Sequence, residues 1–103
     1  MEIREAQAAF RRAYSIRDDA RGVYATLAWL VEELGEVAEA LLRGDPDALR
    51  EEIADLLAWT FSFASLVGVD AEEALCRKYP TVLSELCGRK PGEAGEEKPQ
   101  EPL

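Results

Sequence analysis

Residues 32–55 read EELGEVAEALLRGDPDALREEIAD. Nine of the 24 are carboxylates, and only Arg43 and Arg50 are there to answer them. Most of the rest is aliphatic. The centre, Gly44-Asp45-Pro46-Asp47, is a tight helix–helix turn with a local reason for each residue. Gly44 ends one helix, Asp45 caps the next, and Pro46 takes the first helical position, where its missing N–H costs nothing. An antiparallel hairpin follows, with a helix over about Val23–Arg43 and another over about Pro46–Val67.

On a wheel of about 100° per residue, Val23, Leu27, Leu30, Leu34, Val37, Ala38 and Leu41 make one apolar arc of the first hairpin helix. Glu32 and Glu39 lie opposite. Glu33, Glu36 and Trp29 share a stripe at the arc's edge. On the second helix, Ile53, Leu57, Thr60, Phe61 and Ala64 define the core arc, and Glu52, Asp55 and Trp59 share a stripe beside it. In an antiparallel pair, positions equidistant from the turn face each other. Glu36 and Glu52 stand eight residues from Gly44, Glu33 and Asp55 eleven, Trp29 and Trp59 fifteen. Four carboxylates are thus expected at one level, and two indoles about a turn and a half beyond. Acidic runs on helices are usually solvated faces. Here the facing pairs favour a different use. Four crowded carboxylates repel and hold their protons, and a hard cation with oxygen ligands removes the conflict. Mg²⁺ suits such a site, since it takes a few carboxylates and completes its coordination with water and phosphate.

The rest of the chain sets the frame. It has 103 residues, 48% of them apolar, and a net charge of −9. That suits one domain with one small core and argues against binding nucleic-acid backbones, which needs a basic face. Helix formers dominate, so the expected fold is all-α: a four-to-five-helix antiparallel bundle around the acidic hairpin. A first helix is expected over Glu2–Ile16, broken at Asp18, Asp19, Arg21 and Gly22. A fourth is capped by Asp70, with Glu73 three residues on and Pro80 kinking or splitting it across residues 71–87. The domain should end near residue 88. Residues 89–103 are rich in Pro, Gly and Glu and read as a disordered tail. No apolar run approaches the roughly 20 residues of a membrane span. The charged start MEIREAQAAF does not read as a signal peptide. Two cysteines, Cys76 and Cys87, are too few for a disulfide scaffold. They are expected as reduced thiols filling the last helix of a cytoplasmic protein. The chain has no histidine, which excludes serine-type triads and zinc–histidine chemistry.

The pair Glu32-Glu33-Leu34-Gly35-Glu36 and Glu52-Ile53-Ala54-Asp55 resembles the E-E-x-x-E…E-x-x-D signature of the MazG-like nucleotide pyrophosphohydrolases. These belong to the all-α nucleoside triphosphate pyrophosphatase superfamily. The likeness extends over roughly residues 20–80. It implies metal-dependent hydrolysis of a nucleoside triphosphate, often deoxy or non-standard, to monophosphate and pyrophosphate. Glu33, Glu36, Glu52 and Asp55 would be the Mg²⁺ ligands, with Mn²⁺ able to substitute. Glu32 or Glu36 would take the proton of the attacking water. It also implies assembly as a homodimer or homotetramer. Lys78 on the last helix is the first candidate to hold phosphate, ahead of Arg17, Arg21 and Arg77. Trp29, Trp59 or Tyr14 would stack on the base. The asparagine that some members carry on the last helix is missing, and the segment after Tyr79-Pro80 has no counterpart in the family's pattern.

Two rivals stand beside this. Phosphoribosyl-ATP pyrophosphohydrolase carries a similar acidic motif, but its usual N-terminal Ser-Tyr-Thr stretch has no match here. A non-catalytic helical module would keep the hairpin but has no need of all four acids.

Overall fold

The computed structural model describes residues 1–88; the tail expected over 89–103 lies outside them. The described residues form four α-helices: α1 (Ile3–Arg21), α2 (Val23–Leu42), α3 (Pro46–Leu66) and α4 (Ala71–Lys78). The fold is all-α, as expected. α2 and α3 form the central hairpin. α1 lies mainly along α3, with smaller contacts to α4 and α2.

The hairpin turn is built as its residues require. Gly44 takes φ +66°, a left-handed conformation that side chains with a Cβ disfavour. The Asp45 carboxylate accepts from the Ala48 amide at 3.1 Å. The Asp70 cap of α4 accepts from the Glu73 amide at 3.1 Å. α4 turns away from α3 by 97°, and α1 pins that corner. Gln7 donates from Nε2 to the Val69 carbonyl (2.8 Å) and Ser65 Oγ (3.1 Å), and accepts from the Ala71 amide (2.8 Å). Arg4 pairs with Asp70 at 2.7 Å and with Glu72 at 3.1 Å.

Four expectations are corrected. α1 does not stop at Ile16 but continues to Arg21, and only Gly22, at φ +86°, breaks the chain. Asp18 and Asp19 lie inside the helix, with Arg21 its last residue. After Lys78 there is no second short helix: residues 80–88 are turns, and Pro80 is buried among them. Cys76 and Cys87 are not free thiols. They form a disulfide across eleven residues, with Cα atoms 5.8 Å apart, which ties these turns back to α4.

The fourth correction concerns the core. The apolar arc of α2 is split: Val23, Leu30 and Val37 are half-buried, while Leu27, Leu34, Ala38 and Leu41 are exposed. Thr26, Glu33 and Ala40 are buried at seven-residue intervals, while Leu27, Leu34 and Leu41, one residue on, are 42%, 57% and 65% exposed. On α3, Ile53, Leu57 and Thr60 are exposed as well. Within the hairpin, Ala40 and Ala64 are the buried apolar residues among those described. Small side chains at these positions let the helices approach closely, and the large aliphatics flank that seam.

Candidate metal and nucleotide site

Three of the four expected ligands converge. Oxygens of Glu33, Glu36 and Glu52 lie within 4.8 Å of one another. Glu33 stands on the buried stripe of α2 and is 9% exposed; Glu52 is half-buried and Glu36 is exposed. One oxygen each of Glu33 and Glu52 is buried without a hydrogen-bond partner. Asp55 lies outside this trio, but its charge acts on both Glu33 and Glu52. Glu32 is exposed, and its charge is the least of those acting on Glu33.

Crowding shows in the protonation of these groups. Burial, then the charges of Glu36 and Asp55, push the Glu33 carboxyl above its ordinary range. Glu52 is pushed up to about 7, first by its hydrogen bond with Glu36, then by burial, then by the charges of Glu36, Asp55 and Glu33. Each group would lose this penalty with a cation in place of the proton. The residues fit a hard divalent ion. All three donors are carboxylate oxygens, two of them have buried, unanswered lone pairs, and opposite ligands of a Mg²⁺ octahedron stand about 4.2 Å apart. At least two of the three separations in one octahedron are about 3 Å, so the carboxylates would draw together around the ion.

The indoles meet as the register required. Trp29 and Trp59 stack at 5.7 Å between ring centroids and 13° between planes. The last turns of α1 lie over them. The Arg21 guanidinium carbon is 4.7 Å from the Trp59 ring centroid and 5.1 Å from that of Trp29. That of Arg17 is 4.1 Å from Tyr14 and 5.0 Å from Trp59. Tyr14, Arg17, Trp59, Asp55 and Ser62 line part of a small cavity of about 160 Å³, with Asp55 its one acidic wall among the described residues. Lys78, the last residue of α4, is not among its lining residues.

Asp18 and Arg21 are the residues that sequence patterning undervalued. With α1 ended at Ile16, they fall in a loop. With α1 run on to Gly22, Tyr14, Arg17, Asp18 and Arg21 take positions i, i+3, i+4 and i+7 of one helix face. The signal was present, masked by two consecutive aspartates before a glycine.

Residues 21–85, more than half of the chain, match the family model described as MazG nucleotide pyrophosphohydrolase domain. No curated protein matches the chain. Among the described residues, no single helix is long and apolar enough to cross a membrane.

Proposed function

Because this chain belongs to the MazG nucleotide pyrophosphohydrolase family, we propose that it hydrolyses a nucleoside triphosphate to the monophosphate and pyrophosphate with Mg²⁺, or Mn²⁺ in its place. The observation that carries the reading is the convergence of Glu33, Glu36 and Glu52 around buried, unpartnered oxygens. These three would hold the ion, with Asp55 alongside. A bound Mg²⁺ would supply charge neutralisation for the triphosphate and acidify a water.

The remaining work falls to side chains. Glu36 is exposed, and this exposure supports it as the group that would accept a proton from the attacking water. Glu32, on the solvent side, is a weaker base candidate. Of the aromatic candidates for the base, Trp29 is the most open, while Tyr14 and Trp59 carry the Arg17 guanidinium, the cation for phosphate. Lys78 would have to reach the substrate from the end of α4. A homodimer or homotetramer belongs to the same proposal. It is supported by the exposed Leu27, Leu34, Leu41, Ile53 and Leu57 side chains on one hairpin, which a second copy would cover. Cytoplasmic residence would put the protein beside the nucleotide pool; the Cys76–Cys87 disulfide is an uncommon feature there.

The test is pyrophosphate release from canonical, deoxy and oxidised nucleoside triphosphates and from phosphoribosyl-ATP. It is run with Mg²⁺, with Mn²⁺ and with EDTA, beside a Glu36→Gln variant. Metal-dependent release that the variant loses is the expected result. No release from any of them, together with a melting temperature that Mg²⁺ leaves flat, would favour the non-catalytic helical module.

A further inference from the structure

Asp18 is 0% exposed, and it sits on a face that neither the acidic cluster nor the hairpin core explains. Withdrawing a carboxylate from water is costly unless a charge answers it. The answer here is the adjacent residue. Arg17 donates from Nε to Asp18 Oδ1 at 3.0 Å, and its Nη2 forms an ion pair with the same oxygen at 3.0 Å. Asp18 Oδ2 is buried with no partner. Neighbours in sequence do not face each other on a helix, so this pair adds little to the helix itself. Its effect is on where the Arg17 head lies: drawn sideways, with its carbon 4.1 Å from the Tyr14 ring and 5.0 Å from that of Trp59.

One of the five guanidinium N–H donors, the Nε–H, is given to Asp18. Arg17 also lines the cavity that Asp55 and Ser62 border from α3. At about 160 Å³ it is below the roughly 300–1,000 Å³ of sites that enclose a whole small molecule. It suits one tetrahedral anion. Asp55 would repel such an anion unless a cation lay between them, so the inference rests on the metal-site reading above. A long, mobile arginine loses rotamer freedom when it captures a ligand; one already fixed loses less.

We infer that Asp18 is a positioning residue: it fixes the Arg17 guanidinium against Tyr14 and Trp59, where Arg17 grips a phosphate of the nucleotide next to the acidic cluster. Asp18 touches no substrate and acts only through Arg17.

The experiment measures Asp18→Asn, Arg17→Lys, Arg17→Ala and the Asp18→Asn/Arg17→Ala double variant on the full chain. One readout is affinity for inorganic tripolyphosphate in Mg²⁺, followed by the fluorescence of the two tryptophans. The second is kcat and KM for the best nucleoside triphosphate. The third is melting temperature. Asp18→Asn should weaken tripolyphosphate and raise KM by roughly tenfold, the low end for losing an orienting partner. Its kcat and melting temperature should stay near wild type. Arg17→Lys should match it, because lysine keeps the charge and loses the fork. The double variant should bind no worse than Arg17→Ala alone, as a residue acting through another requires.

Unchanged tripolyphosphate affinity in Asp18→Asn overturns the inference. So do losses that add in the double variant, or a fall in melting temperature with KM unmoved. The two levels separate cleanly. A wild type that releases pyrophosphate, with an Asp18→Asn variant like it, sinks the inference and leaves the hydrolase. A wild type that binds tripolyphosphate through Asp18 and Arg17 but releases nothing does the reverse.

Discussion

Two stripes of α2 lie side by side and behave oppositely. Thr26, Glu33 and Ala40 are buried against the rest of the subunit; Leu27, Leu34 and Leu41, each one residue further on, face outward. A helix that folds for stability alone would exchange them. The inward stripe costs stability, because it withdraws a carboxylate next to other carboxylates. The outward stripe leaves apolar surface in water. Both costs disappear under one pair of conditions: a cation at Glu33, Glu36 and Glu52, and a second subunit on the leucines. Under the proposed function, the inner stripe would serve the chemistry and the outer one the assembly.

The largest effect should come from the inner stripe. Glu33→Gln removes a candidate ligand and should lower metal-dependent pyrophosphate release by at least about 100-fold, more than losing a partner of a ligand typically costs. The same change relieves a buried like charge. The metal-free variant should therefore melt no lower than wild type, while its gain in melting temperature with Mg²⁺ should vanish. Lost activity with a lowered metal-free melting temperature would make Glu33 an ordinary structural residue and break the contrast. On the outer stripe, Leu34→Glu puts a charge in the proposed subunit contact. Wild type should run in light scattering at two or four times the 11.4 kDa of the chain, and the variant at its monomer mass. A monomeric wild type would remove the assembly half of the argument.

Much of this was legible beforehand. The GDPD turn carries its own capping instructions, and once it is fixed, counting outward from Gly44 pairs Glu36 with Glu52 and Trp29 with Trp59. Both pairs meet. What could not be read was which edge of the apolar arc turns inward. Periodicity reports which residues avoid water, not whether the cover comes from the same chain or another. Nor does it weigh the small side chain of Ala40, which lets α3 close over Glu33's stripe. The end of α1 was hidden for a related reason. Two aspartates before a glycine read as a loop, because the burial of Asp18 beside Arg17 and the pairing of Asp19 with Arg11 arise only in the folded chain.

The disulfide offers a control on the contrast, because it touches neither stripe. Replacing Cys76 and Cys87 with serine opens a short loop and should lower stability by up to about 3 kcal/mol, read from denaturant midpoints. The Mg²⁺ response and the assembled mass should not change. A change in either would mean that the C-terminal turns support the hairpin and that the two stripes are not separable from them.

The smallest effect is a pH dependence, and it tests the chemistry of the inner stripe most directly. The Glu52 carboxyl, at about 7 in the folded chain, lies above its ordinary 4.5, chiefly through its hydrogen bond with Glu36. Between those values the folded state holds the proton that the unfolded state has released. This group's contribution is therefore complete below about pH 4.5 and is lost as pH rises to 7. Metal-free wild type should lose stability across that window relative to Glu52→Gln, which cannot titrate. Mg²⁺ needs the ionised form, so its stabilising effect should grow over the same interval and level off above it. A Mg²⁺ effect equal at pH 5 and pH 8 would mean that no proton leaves when the cation enters. The crowded carboxylates would then be a cost of the fold without a chemical return, and the inner stripe of α2 would lose its claim to differ in purpose from the outer one.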